Sequence, residues 1–201
     1  MDRSTTAFER GCRIAADLVR AGALVSAAAA AFLPLEGVIR FLLLFLGLLV
    51  PRLAGVRSPV DLLVGIVLSV AAWSSPAHWY ELAVWYDTAL HAVVPGIVAL
   101  TLHLLLIRWR LLPPLMANDL RIFSIPLLTT LLGCTVALVW ELYEWFGKDV
   151  LGLEIAAHYD DTVADMAAGL VSSLVAGVLL AVWARHRART RRRTRWSAPL
   201  T

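Results

Sequence analysis

Six acidic residues and one histidine fall in or beside three apolar runs of this 201-residue chain, in the sets Asp87 with His91, Glu141 with Glu144, and Asp160 and Asp161 with Asp165. An ionised group at the centre of a bilayer costs about 2.5–3.5 kcal/mol on insertion scales, so a group of them inside membrane helices marks a site by default. Carboxylate oxygens and imidazole nitrogens brought together can bind a divalent cation, move a proton, or do both.

Spacing divides the residues into two layers. Pairs at i,i+3 and i,i+4 share one face of a helix, so His91, Glu141 and Asp165 form a deeper layer, with Asp87, Glu144 and Asp161 one turn nearer the surface. These six are the candidate metal ligands, and Glu141 and Asp165, the deepest acids, are the candidates for catalysis. Hard oxygen ligands with one imidazole suit Mg²⁺, Mn²⁺, Ca²⁺ or, with fewer oxygens, Zn²⁺. The deeper three are expected to converge to within about 8 Å, a spread that ligands at ~2.0–2.6 Å from one or two cations permit.

Each member also has a plainer role. Asp160 or Asp161 suits the N-cap of the last helix, with Thr162 and Asp165 resembling a capping box. Asp87 complements a helix dipole, and Glu144 can pair with Lys148 at i,i+4. Glu141 is harder to explain this way, because a carboxylate near a helix C-terminus opposes the dipole. His103 reads as a packing residue, His158 as an interfacial one and His186 as part of a basic tail.

Elements able to position such a site are visible in the composition. With 60% hydrophobic residues, 16% charged and a mean hydropathy of +0.75, the chain lacks the polar surface to enclose a soluble core, so its apolar faces meet lipid. The expected fold is all-α, a polytopic transmembrane bundle of about six helices near residues 14–33, 37–51, 59–76, 83–107, 122–146 and 161–184. Residues 21–50 also permit a re-entrant hairpin. No linker or repeat divides the chain, which predicts one transmembrane domain over 1–184 and a basic cytoplasmic tail over 185–201. The first apolar run lacks a convincing cleavage site and reads as a retained helix. Cys12 and Cys134 are too far apart in this arrangement to bridge.

The two deeper acids sit on faces lined with small residues. Asp161 and Asp165 continue into Gly169, Ser173 and Gly177 at four-residue steps, and Glu141 follows Gly133 and Ala137 at the same step. Small residues at that spacing let membrane helices approach closely, which turns the carboxylates toward protein. Pro95 cannot donate to the carbonyl of His91, which predicts a kink there and a free backbone oxygen beside the imidazole.

Sixteen of the 18 basic residues fall on alternate sides of the six-helix count, Arg40 and Lys148 being the exceptions. The positive-inside rule makes that side cytoplasmic, placing both termini inside and the acidic set on the outer side of the membrane. Seven arginines between 185 and 195 read as an anchor for anionic lipid heads rather than a nucleic-acid site.

The residues Tyr86, Asp87, His91 and Gly96, then Trp140, Glu141, Glu144 and Trp145, then Asp161, Thr162, Asp165, Met166 and Gly169 resemble the pattern of bacterial inner-membrane proteins of the YjdF type, over roughly residues 60–184. That family places a Gly-Asp pair in the loop before the last motif, where this chain has Ala157-His158-Tyr159-Asp160. A looser likeness is to VanZ-type proteins, which also place an Asp and a His on one helix and acids on the next two. Neither resemblance implies a reaction. Three classes stay open: a metal-dependent hydrolase or transferase of a lipid-linked substrate, an ion- or proton-coupled carrier, and a structural or stress-response membrane protein whose metal clips helices together. Membrane lipids are the expected partners of all three.

Overall fold

The computed structural model describes residues 6–32, 35–83, 85–115, 120–152 and 159–196. All regular structure among them is helical: α1 (Ala7–Ala29), α2 (Leu35–Leu53), α3 (Ser58–Ser74), α4 (Tyr86–His91), α5 (Val94–Arg108), α6 (Leu120–Trp145) and α7 (Tyr159–Trp196), with short turns of tighter or wider helix between them. The expected six apolar helices are present, the fourth in two pieces. A helix that crosses the hydrocarbon core needs about 20 residues. Among the described residues three segments are long and apolar enough: Tyr86–Arg108, counting α4 and α5 together, Phe123–Val150 and Tyr159–Ala188. The chain divides into two compact units, residues 1–90 and 91–201.

In the first unit α1, α2 and α3 pack against one another. Within residues 21–50, α1 ends at Ala29 with the 3-10 turn Ala30–Phe32 after it, and α2 begins at Leu35. Ala23, Ala30, Phe41, Leu44 and Leu48 make the core, and Phe41 meets Trp73 with ring centroids 5.0 Å apart. α1 begins earlier than its apolar run does, because Thr6 Oγ1 caps it by accepting from Glu9 N at 3.2 Å. The added turns carry Arg10 and Arg13, leaving Arg20 in the middle of the helix instead of at its end. There the guanidinium is buried: Nη2 pairs with Asp61 of α3, Nε donates to Leu48 O of α2 at 2.9 Å, and Nη1 donates to Asp17 at 2.9 Å. Asp17 also accepts from Arg52 Nε at 3.0 Å. One arginine thereby ties three helices. At the other end of α3, Ser74 Oγ lies 2.9 Å from Tyr86 Oη, and Trp79 and Tyr80 meet the Tyr86 ring edge-on. This fixes the start of α4.

The second unit is built on the four-residue rhythm of small side chains. On α6 the buried positions among those described are Ile125, Thr129, Gly133, Ala137 and Glu141, and on α7 Asp165, Gly169, Ser173, Gly177 and Ala181 are buried at the same step, with Leu180 and Ala184 beside them. Both helices pack on each other and on α5. A Cβ on Gly133 would run into Ser173 Oγ, one on Gly96 would lie 2.7 Å from Ser172 O, and one on Gly169 would lie 2.9 Å from Ala137 Cβ. Backbones come this close only where side chains are missing. His103, as expected, is a packing residue, its Nδ1 2.9 Å from Thr129 Oγ1.

Three expectations are corrected. Pro95 ends one helix and begins the next, with the break at Ala92–Val93, since it occupies the first turn of α5 where its missing N–H is no loss. α7 starts at Tyr159, so Asp160 and Asp161 stand in its first turn, where they complement the dipole, and not at its cap. α7 also runs on to Trp196, so much of the basic tail continues the last helix, with Arg187 lying 4.5 Å over the Trp183 ring. Both cysteines are free. Arg3, Glu154 and His158 lie outside the described residues.

Removing one partner of a buried ion pair leaves the other charge uncompensated, a loss of about 3–5 kcal/mol. Asp61→Asn should therefore lower the melting temperature of the detergent-purified protein sharply, whereas the double change Arg20→Met with Asp61→Leu should lower it less. Equal or greater loss in the double variant would show that the pair stabilises by more than mutual neutralisation. In the second unit, Gly133→Ala should destabilise by about 1–3 kcal/mol, as overpacking does, and Ser173→Gly in the same chain should recover most of it. A Gly133→Ala protein that melts like the parent would refute the close approach of α6 and α7.

Candidate metal centre

His91 ends α4, Glu141 lies one turn from the end of α6, and Asp165 lies on the second turn of α7. Each is put there by the packing beneath it. The stripes Gly133–Ala137 and Gly169–Ser173 press α6 on α7, and Pro95 lies against Gly169, so the next position outward on each helix points at the same space. All three side chains are buried, at 0%, 7% and 1% relative exposure. Each offers one ligand atom, and these atoms lie within 4.8 Å of one another. The deeper layer expected from spacing is thus assembled, well inside the 8 Å that one or two cations would span.

The imidazole of His91 stands between two glutamates of α6. Nδ1 is 3.5 Å from Glu141 Oε1, and Nε2 is 4.0 Å from Glu144 Oε1. Trp140 holds this arrangement from the side: its ring lies 4.4 Å from that of His91, and its indole N–H donates to Glu144 Oε1 at 2.7 Å. The hydroxyl of Thr162 hydrogen-bonds the Glu141 carboxylate, and Asp165 and Asp161 are the charges that bear on it. Glu141 Oε1 is buried without a hydrogen bond among the described residues. Like charges held this close in a buried setting repel, a penalty that a cation held between them would remove.

Glu144 and Asp161 are half-buried, one turn farther out than Glu141 and Asp165. Asp87, half-buried too, belongs to the first unit and stands one turn before His91 on α4. Asp160 is exposed. Two contributors were not singled out from the sequence. Trp140 enters there only as part of the family pattern, although its i,i+4 spacing to Glu144 is the signal that would have found it; Thr162 enters only in that pattern and as a capping residue.

The site is not sealed. A cleft of about 370 Å³ between α6 and α7 is lined by Leu138, Glu141, Leu142, Trp145, Asp149, Tyr159, Thr162 and Met166. Glu141 is therefore both a member of the buried set and part of the cleft wall.

No curated protein and no solved structure matches the chain. The looser likeness to VanZ-type proteins rests on residue spacing alone. Residues 14–186 match the family described as "Predicted membrane protein (DUF2238)", a span that takes in every helix bearing the acidic residues and His91. Three helices able to cross a membrane among the described residues accord with that description, and with 14–186 of its 201 residues matched the chain belongs to this family.

Proposed function

We propose that His91, Glu141 and Asp165 hold a divalent cation on the extracytoplasmic side of a bacterial inner membrane, with Glu144 and Asp161 as outer ligands or proton-handling groups, and that the site hydrolyses or transfers part of a lipid-linked substrate. The observation that carries this reading is the convergence of three buried ligand-bearing side chains from three helices to within 4.8 Å. Oxygen-rich donors with one imidazole fit Mg²⁺, Mn²⁺, Ca²⁺ or Zn²⁺. A metal here supplies charge to polarise a phosphoryl or carbonyl oxygen. Glu141 and Asp165 are placed to bind it or to move a proton, and Trp140 and Thr162 orient the two glutamates.

A second reading, a metal that only clips the helices together, draws on the same convergence. The cleft beside Glu141 favours chemistry, since a purely structural site has no need of an opening. The carrier reading is weaker, because coupling-ion sites lie near the bilayer midplane between repeats, whereas these residues crowd one end of their helices.

Mn²⁺ titration of the purified protein should show saturable binding that Glu141→Gln and Asp165→Asn abolish, and Trp140→Phe should weaken it by about 10–100-fold, as loss of an orienting group does. If the metal serves chemistry, the Gln and Asn variants keep the parent melting temperature. If it is a clip, their melting temperature falls with the lost binding energy. No Mn²⁺, Mg²⁺, Ca²⁺ or Zn²⁺ binding by the parent would refute both. Sidedness has its own check: single cysteines at residues 75 and 148 should react with an impermeant thiol reagent from outside intact cells, and one at residue 197 should not. Labelling of residue 148 only after lysis would overturn the orientation.

A further inference from the structure

The cleft between α6 and α7 has a polarity gradient. Leu138 and Met166 lie at its deep end, Glu141, Thr162 and Leu142 at its middle, and Trp145, Asp149 and Tyr159 toward the ends of α6 and α7 that leave the bundle. Leu138, Leu142, Trp145 and Met166 are 38–54% exposed, on helices apolar enough to cross a membrane, so the cleft opens sideways onto lipid. Its volume falls within the roughly 300–1,000 Å³ of small-molecule sites, which are mostly apolar with a few placed polar groups. A lipid in the adjoining leaflet carries the same gradient, chains deep and head group toward the surface.

The polar group at the middle is Glu141, more than nine-tenths buried, with its Oε1 lacking a hydrogen bond. Small residues close α6 on α7 below this level, at Gly133 with Ser173 and at Ala137 with Gly169. At and above Glu141 the cleft is walled by larger side chains, Leu142 and Trp145 of α6 and Tyr159 and Thr162 of α7. The opening thus begins at the depth of the proposed ligands.

We infer that this cleft is a lateral portal that admits a membrane phospholipid, or a lipid with a phosphate-bearing head, from the bilayer, its chain along Leu138, Leu142 and Met166 and its phosphate at Glu141 and Thr162 through the bound cation. This rests on the metal reading of the site, because Glu141, Asp161 and Asp165 alone repel an anionic head; the phosphate oxygens complete the coordination of a cation that carboxylates hold only in part. A water-soluble phosphate would have to enter past Asp149, whose carboxylate repels it, and has no chain to bind along Leu138, Leu142 and Met166.

Photo-crosslinking tests it directly. Full-length protein in nanodiscs containing a diazirine-tailed phosphatidic acid is irradiated with Mn²⁺ or with EDTA, and adducts are mapped by mass spectrometry. With Mn²⁺, adducts should be enriched several-fold at Leu142 and Met166 over Leu131, a lipid-facing residue of α6 outside the cleft; EDTA should remove the enrichment. Dodecyl phosphate should compete and inorganic phosphate should not. Met166→Trp, which fills the cleft, should abolish the enrichment while Mn²⁺ binding persists, with Leu142→Phe as a milder filler. Adducts spread evenly over Leu131, Leu142 and Met166, enrichment indifferent to EDTA, or equal competition by inorganic phosphate would each overturn the portal. Mn²⁺ binding measured on the same samples separates the two failures: binding without enrichment refutes the portal and leaves the metal site standing, whereas absence of binding refutes the metal site itself.

Discussion

Close backbone approach in the α5, α6 and α7 unit is the constraint on which the rest depends. Gly133 against Ser173, Gly169 against Ala137 and Pro95, and Gly96 against Ser172 leave no space for side chains between these helices. Lipid supplies no hydrophobic drive for helices to associate, so such contacts, summed over many atoms, hold them together. Rigid contact below fixes where the next turn points. His91, Glu141 and Asp165 continue three stripes, and three ionisable groups are placed in one dry space without any of them having to attract the others. The energy that assembles the site is therefore spread over packing that contains no charge, and this lets acids of like sign be held together.

Much of this was legible in the residues because the two signals reinforce each other. Four-step spacing of small residues identified the interior face of α6 and of α7, and the acids at the end of each stripe could then face only inward. His91 followed from its i,i+4 spacing to Asp87 at the start of the same apolar run. The layering, with His91, Glu141 and Asp165 deep and Glu144 and Asp161 half-buried, is the i,i+3 and i,i+4 relation carried into three dimensions.

What was not legible depends on partners distant in sequence or on exact helix ends. Arg20 looked like one more cytoplasmic charge at the start of an apolar run. Its burial needs Leu48 of α2 and Asp61 of α3 at the same level, and no local pattern announces contacts at separations of 28 and 41 residues. The start of α7 at Tyr159 moved Asp160 and Asp161 by only a residue or two from their expected cap, the margin at which helix ends are ordinarily ambiguous. The break after His91 replaced a kink for a similar reason, since Pro95 is tolerated both as a first-turn residue and as an interior one. Trp140 stood in the family pattern without a role; its indole N–H toward Glu144 and its ring beside His91 use both the polar and the apolar part of one side chain.

The two units hold buried charge in opposite ways, and the contrast bears on function. Around Arg20 the guanidinium has an acceptor at each of its nitrogens, in Asp17, Asp61 and Leu48 O, and Asp17 has a second arginine in Arg52. Opposite signs meet, donors find acceptors, and nothing is left for a ligand to do. Around Glu141 the neighbouring charges are acidic, one carboxylate oxygen lacks a hydrogen bond, and a cleft reaches the wall. A structural cluster gains by internal neutralisation, because any unsatisfied polar group in a dry interior destabilises the fold. A binding cluster must forgo that neutralisation until its ligand arrives. The same chain contains the first solution in α1, α2 and α3, where Arg20 meets Asp17 and Asp61, while the charges that bear on Glu141 are those of Asp165 and Asp161.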